Sequence, residues 1–67
     1  MYLVIARADC NPNMYKTDTV RWSSNKDKAL RYASHKGATE YAESYQRKLR
    51  ELNMNEINII VKEEHEV

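Results

Sequence analysis

The sequence predicts a small α+β domain, a three-stranded antiparallel sheet with two helices on one face in the order β-β-α-α-β, and three patterns carry that prediction. Between Ser34 and Asn53, the residues Ala38, Tyr41, Ala42, Tyr45, Leu49 and Leu52 recur at the spacing of one apolar helix face. Tyr2-Leu3-Val4-Ile5-Ala6 is an unbroken apolar run with β-branched members, which suits a strand better than an uncapped helix. Ile57, Ile59 and Val61 alternate with Asn58, Ile60 and Lys62, the two-residue period of a closing strand.

Between these elements the local chemistry is mixed. Asp9, Asn11, Pro12 and Asn13 supply backbone-binding side chains and a fixed φ, so Ala8 to Met14 reads as a surface loop. A second strand is expected between Tyr15 and Trp22, with Val20 and Trp22 on one face. Ser24 stands three residues before Asp27, a capping arrangement for a short helix with Ala29, Leu30, Tyr32 and Ala33 as its apolar members. Ser34 then caps the long helix, Gly37 weakens its first turn, and Asn53 stops it. Glu43 and Arg47 stand at the i, i+4 spacing of a favourable surface pair.

A chain of 67 residues makes one domain, 1–67, with one small core and no room for a separate substrate domain. Its 42% hydrophobic and 31% charged residues are the balance of a folded protein rather than a disordered one. Cys10 is the single cysteine, so no internal disulfide can staple the core, and a reduced cytoplasmic setting is expected. The apolar run at Tyr2 to Ala6 is too short to span a membrane.

Net charge is +1 but uneven. Residues 1 to 50 carry ten Lys/Arg against five Asp/Glu, whereas residues 51 to 67 carry one Lys against five Glu. The acidic end, 63–67, is expected to fray. A basic body with an acidic end fits nucleic-acid binding, a dimer pairing opposite patches, or two solvated faces.

Candidate chemistry is sparse. Cys10 with His35 or His65 would need an electropositive concavity to become a nucleophile, and the three lack the paired spacing of a zinc site. No catalytic residue, cofactor or metal is therefore expected. Lys26, Lys28 and Arg31 lie in a segment, 16 to 36, that carries six Lys/Arg against two Asp, and Trp22 with Tyr15 or Tyr32 could add stacking surfaces. For a protein partner, the anchors would be Met14 and Tyr15 in their loop and Arg47, Lys48 and Arg50 on the long helix. With both helices on one face of the sheet, Val4 and Ile60 would share an apolar patch on the other, which a homodimer or a partner would cover.

The segment from Lys28 to Ser34, Lys-Ala-Leu-Arg-Tyr-Ala-Ser, leads into Ala-Thr-Glu-Tyr-Ala at Ala38 to Ala42, between an opening strand with a following Trp and a closing strand. In this layout the chain resembles small accessory proteins of tailed bacteriophages. That resemblance implies a protein acting in the host cytoplasm by binding a host protein, for instance a transcription, nuclease or immunity component. It rests on core and cap positions and transfers no functional residue. The function expected is thus a non-enzymatic, phage-encoded modulator or inhibitor of a host protein, with defence systems among the targets, and the alternative is a nucleic-acid-binding accessory protein.

Overall fold

The computed structural model describes residues 1–9 and 11–67. It is α+β, with one antiparallel sheet of four strands and one α-helix: β1 (Tyr2–Ala8), β2 (Asn11–Lys16), β3 (Trp22–Ser23), α1 (His35–Glu51) and β4 (Asn58–Glu63), in the sheet order β3-β2-β1-β4. The first strand to leave the N-terminus therefore lies inside the sheet, flanked by the last strand. Leu3, Val4 and Ile5 are 0–1% exposed. A strand buried on both faces has no polar side to alternate with, which is the physical meaning of the unbroken apolar run.

The two faces have different covers. Val4 packs with Ala38 and Ala42 of α1, and Tyr2, Trp22, Tyr32, Tyr41, Ile59 and Val61 close around them. On the opposite face, Leu3, Ile5 and Tyr15 meet Ala29, with Ile60 against them. Two expectations are corrected here. The register pairs Val4 with Val61 and Ile5 with Ile60, so Val4 and Ile60 lie on opposite faces and form no common patch. Ala29 also covers the face that two helices on one side would have left bare.

The expected helix after Ser24 is a single 3-10 turn, Lys26–Lys28, capped by Asn25, whose side chain accepts from the Asp27 N–H at 3.0 Å. Ala29 is already extended, the Leu30 N–H donates to the Lys16 carbonyl at 2.8 Å, and Tyr32 and Tyr2 exchange bonds of 2.8 and 2.9 Å. The sheet takes this segment because so short a helix cannot repay its nucleation cost.

Strand β2 begins where a loop was expected. Ala6 pairs with Met14 and Ala8 with Asn11, so Pro12 and Asn13 together oppose Arg7 in a bulge. A bulge tolerates a residue with no N–H to donate, and Pro12 is accommodated there. The part of that loop expectation at Cys10 lies outside the described residues. Beyond β2 the chain turns through residues 17–21, held by the Thr17 hydroxyl, which donates to the Arg21 carbonyl and accepts from the Thr19 N–H at 3.2 Å. The single strand expected from Tyr15 to Trp22 is thus divided, and Val20 is exposed rather than packed beside Trp22.

Helix α1 starts and stops at the expected residues. The Ser34 hydroxyl accepts from the Gly37 N–H at 3.1 Å, and a Cβ at residue 37 would crowd that oxygen at 3.2 Å. At the other end Asn53 takes a φ of 60°, the Asn53 N–H donates to the Arg50 carbonyl at 3.0 Å and the Met54 N–H to the Leu49 carbonyl at 2.8 Å. This is a Schellman motif with Asn in the left-handed position. Ala38, Ala42 and Leu49 are buried, whereas Leu52, the helix cap, is 61% exposed. The apolar stripe therefore ends one turn earlier than the spacing predicts.

The acidic 63–67 segment, expected to fray, follows the end of β4 into a 3-10 turn, Glu64–Glu66, whose first N–H donates to the Met1 carbonyl at 2.7 Å.

Candidate functional site

Strand β4 is one edge of the sheet, and its backbone groups point alternately inward to β1 and outward. Tyr2 directs its N–H and C=O toward Tyr32, so Leu3, Ile5 and Arg7 direct theirs toward β4. Their partners Lys62, Ile60 and Asn58 consequently point inward, and Ile59, Val61 and Glu63 point out of the sheet.

Part of this outer edge is occupied by side chains. Gln46 of α1 donates from Nε2 to the Ile57 carbonyl at 2.9 Å and accepts at Oε1 from the Ile59 N–H at 2.7 Å. This is the donor and acceptor pattern that a neighbouring strand would present. The Glu63 N–H donates to the Glu66 side chain at 3.3 Å. Val61 lies between these two closures, and its N–H and C=O, like the Ile59 C=O, have no partner among the described residues.

An open groove of about 760 Å³ runs along this edge between α1 and β4. Its floor is Ala42, Ile59 and Val61, and its helix wall carries Glu43, Gln46, Arg47 and Arg50. Among the described residues Arg31 pairs with Glu64 and His65 lies against Glu63, and the expected Glu43–Arg47 pair is not formed. Arg47, Lys48 and Arg50 are exposed cations toward the C-terminal end of α1, where Lys48 and Arg50, in the last turn, also complement the helix dipole.

The other flank of α1 carries an aromatic row. Trp22 meets Tyr45 at 5.2 Å between ring centroids, Tyr45 stacks on Tyr41 at 5.9 Å, and Tyr41 lies 6.4 Å from Tyr32. The Lys16 ammonium sits 4.8 Å above the Tyr41 ring. Burial, and secondarily the neighbouring phenols, push the Tyr32 and Tyr41 hydroxyls above their ordinary pKa of 10.0. All four rings are half-buried, and they close the core of a chain that has no Phe.

The basic segment is less available than its charge suggests. Arg31 holds Glu64, and Lys26 donates to the main-chain oxygen of Val67 at 2.7 Å, so Lys28, exposed like Arg31, is the one of the three without a contact to the C-terminal segment among the described residues. The hydrogen bond from Arg31 holds the Glu64 carboxyl below its usual range, against a smaller opposing effect of desolvation. Because the folded-state value is depressed, this contact contributes its full stabilisation above the ordinary carboxylate pKa and loses it as pH falls through the folded value. Acidification through the folded value is therefore expected to break the contact between Glu64 and Arg31. NMR titration of the Glu64 carboxyl would show this, and Arg31→Ala should move its midpoint upward.

Of the protein-contact residues expected from sequence, Arg47 lines the α1/β4 groove together with Arg50, and Lys48 is exposed on the same end of the helix. Tyr15 is a correction: at 8% exposed it is core, held against Leu3 and Ile5. Met14 is half-buried on the helix side of the sheet, opposite Ala6. His35 packs edge-on against Tyr2 at 5.2 Å, and His65 is exposed beside Glu63 at 3.1 Å. Cys10 lies outside the described residues, and among those described no three His, Cys, Asp or Glu groups gather as a metal site.

Gln46 and Val61 were missed by sequence reasoning. The available signal was Gln46 itself, a polar residue eight positions after Ala38 and four after Ala42, on the flank of the apolar stripe. Comparison with protein-family models, with curated proteins and with solved structures finds no match to the chain.

Proposed function

We propose that this chain is a small non-enzymatic binding protein that acts by contact with another protein. The observation that carries this reading is the edge of β4, where a backbone pair at Val61 without a partner among the described residues borders a groove walled by cations that make no ion pair among them. Exposed strand edges and Arg-rimmed apolar grooves are surfaces that proteins recognise. The resemblance to phage accessory proteins adds a direction: the partner is a host protein in the cytoplasm, and the chain modulates or inhibits it. Among the described residues, no helix is long and apolar enough to cross a membrane, and the proposal needs none.

Nucleic-acid binding is less favoured, because Lys26 and Arg31 are held by the C-terminal segment. Random DNA or RNA oligonucleotides are expected to show no micromolar retention at any salt between about 50 and 200 mM, the range over which phosphate contacts would make binding fall steeply. Host proteins captured by the immobilised protein should persist after nuclease treatment. Salt-sensitive retention of oligonucleotides, lost on reversing the charges of Lys28 and Arg31, would replace this proposal with the nucleic-acid one.

A further inference from the structure

We propose that Gln46 is a placeholder on the β4 edge, and that an extended, acidic segment of a partner protein displaces it and adds to the sheet as a fifth strand beside α1. This inference rests on the protein-binding reading and assigns to it a surface and a partner chemistry.

The backbone supplies the first part of the case. Outward-facing groups run from the Ile57 carbonyl through Ile59 to Val61, and a strand laid along them would find the same bonds that Gln46 now makes, together with the free pair at Val61. Gln46 satisfies two groups of the edge with one flexible amide. Exchanging that amide for a peptide group leaves no buried polar group unpaired, so displacement avoids the penalty that usually opposes opening a closed edge. Strand addition of this kind draws affinity from main-chain bonds and specificity from alternate side chains.

Charge supplies the second part. A strand on this edge would direct alternate side chains toward α1, over Ala42, Ile59 and Val61 and beneath Arg47 and Arg50. Glu43 is the single acidic residue of the groove and makes no ion pair with either arginine. Carboxylates on the incoming segment would meet Arg47 and Arg50 in charge-assisted pairs, whereas lysines there would be repelled. The opposite edge of the sheet offers no equivalent, since β3 has only two residues and β2 carries Pro12.

The test uses blocked short peptides of alternating glutamate and valine, with alternating lysine and valine as the control, added to the isotope-labelled protein. The acidic peptide is expected to slow amide exchange at Val61 and to shift the Gln46 side-chain amide, and the lysine peptide to do neither. Arg47→Glu with Arg50→Glu should weaken the acidic peptide by about tenfold, the loss of two rim attractions and the gain of two repulsions. Gln46→Ala should strengthen it. Should Gln46→Ala fold poorly, Gln46→Met keeps the volume and removes both hydrogen bonds without adding charge, and it is expected to strengthen binding as well.

Equal binding of both peptides, or indifference to the Arg47 and Arg50 reversals, would overturn the proposal. So would concentration-dependent protection of Val61 in the peptide-free protein, because a second copy would then occupy the edge. Peptide shifts, or those of a captured host protein, confined to the aromatic row would overturn this surface while leaving a protein-binding role intact. Absence of binding to any peptide or host protein would remove both.

Discussion

The Ile5→Ala protein is expected to be largely unfolded at room temperature. Ile5 is 1% exposed in the middle of β1, between Tyr15 on one neighbouring strand and Ile60 on the other, with Leu3 and Ala29 completing its surroundings. Truncation removes buried apolar surface and leaves a cavity beneath the Ala29 segment, at a cost of about 2–5 kcal/mol. A core of this size nets only about 3–5 kcal/mol, so one such substitution removes most of the stability. Urea unfolding followed by circular dichroism should show a midpoint near zero denaturant. A midpoint matching the parent would mean that the 26–31 segment does not seal that face.

The same packing explains which parts of the fold were legible in the sequence. The β1 run, the Ser34 cap, the Asn53 stop and the β4 alternation are local signals, each set by a few neighbouring residues, and the three elements they mark, β1, α1 and β4, stand within a residue or two of where they point. The 24–33 segment failed because its spacing of Ala29, Leu30, Tyr32 and Ala33 suits a helix only for a turn or so. Its fate was decided by remote partners, Lys16 and Tyr2, whose hydrogen bonds no local pattern encodes. Strand β3 has two residues and therefore no period to read.

The candidate site divides in the same way. Arg47, Lys48 and Arg50 could be picked out as exposed cations from the helix phase alone. Tyr15 could not be told from a surface anchor, because its burial depends on Ala29 folding back over the sheet. The significance of Gln46 depends on β4 being an edge, and that follows only from the sheet order. Charge asymmetry was plain in the sequence, yet its outcome is partly internal: the acidic end neutralises Arg31 rather than a partner.

Leu49 and Leu52 provide the sharpest test of where the helical phase ends. Both fit the same sequence stripe, yet Leu49 is 6% exposed and Leu52 is 61% exposed. Leu49 lies in the last full turn of α1, and the Schellman bonds that follow turn the chain at Asn53, so Leu52 no longer faces the sheet. Leu49→Ala is therefore expected to cost about 2–5 kcal/mol, a loss large enough to leave much of the protein unfolded. Leu52→Ala should fall within about 0.5 kcal/mol of the parent, as exposed substitutions usually do. Thermal melts of the two variants beside the parent decide the matter. Equal losses would place Leu52 in the core and extend the buried face through the cap, and an unchanged Leu49→Ala melt would mean that α1 does not pack on the sheet through this stripe.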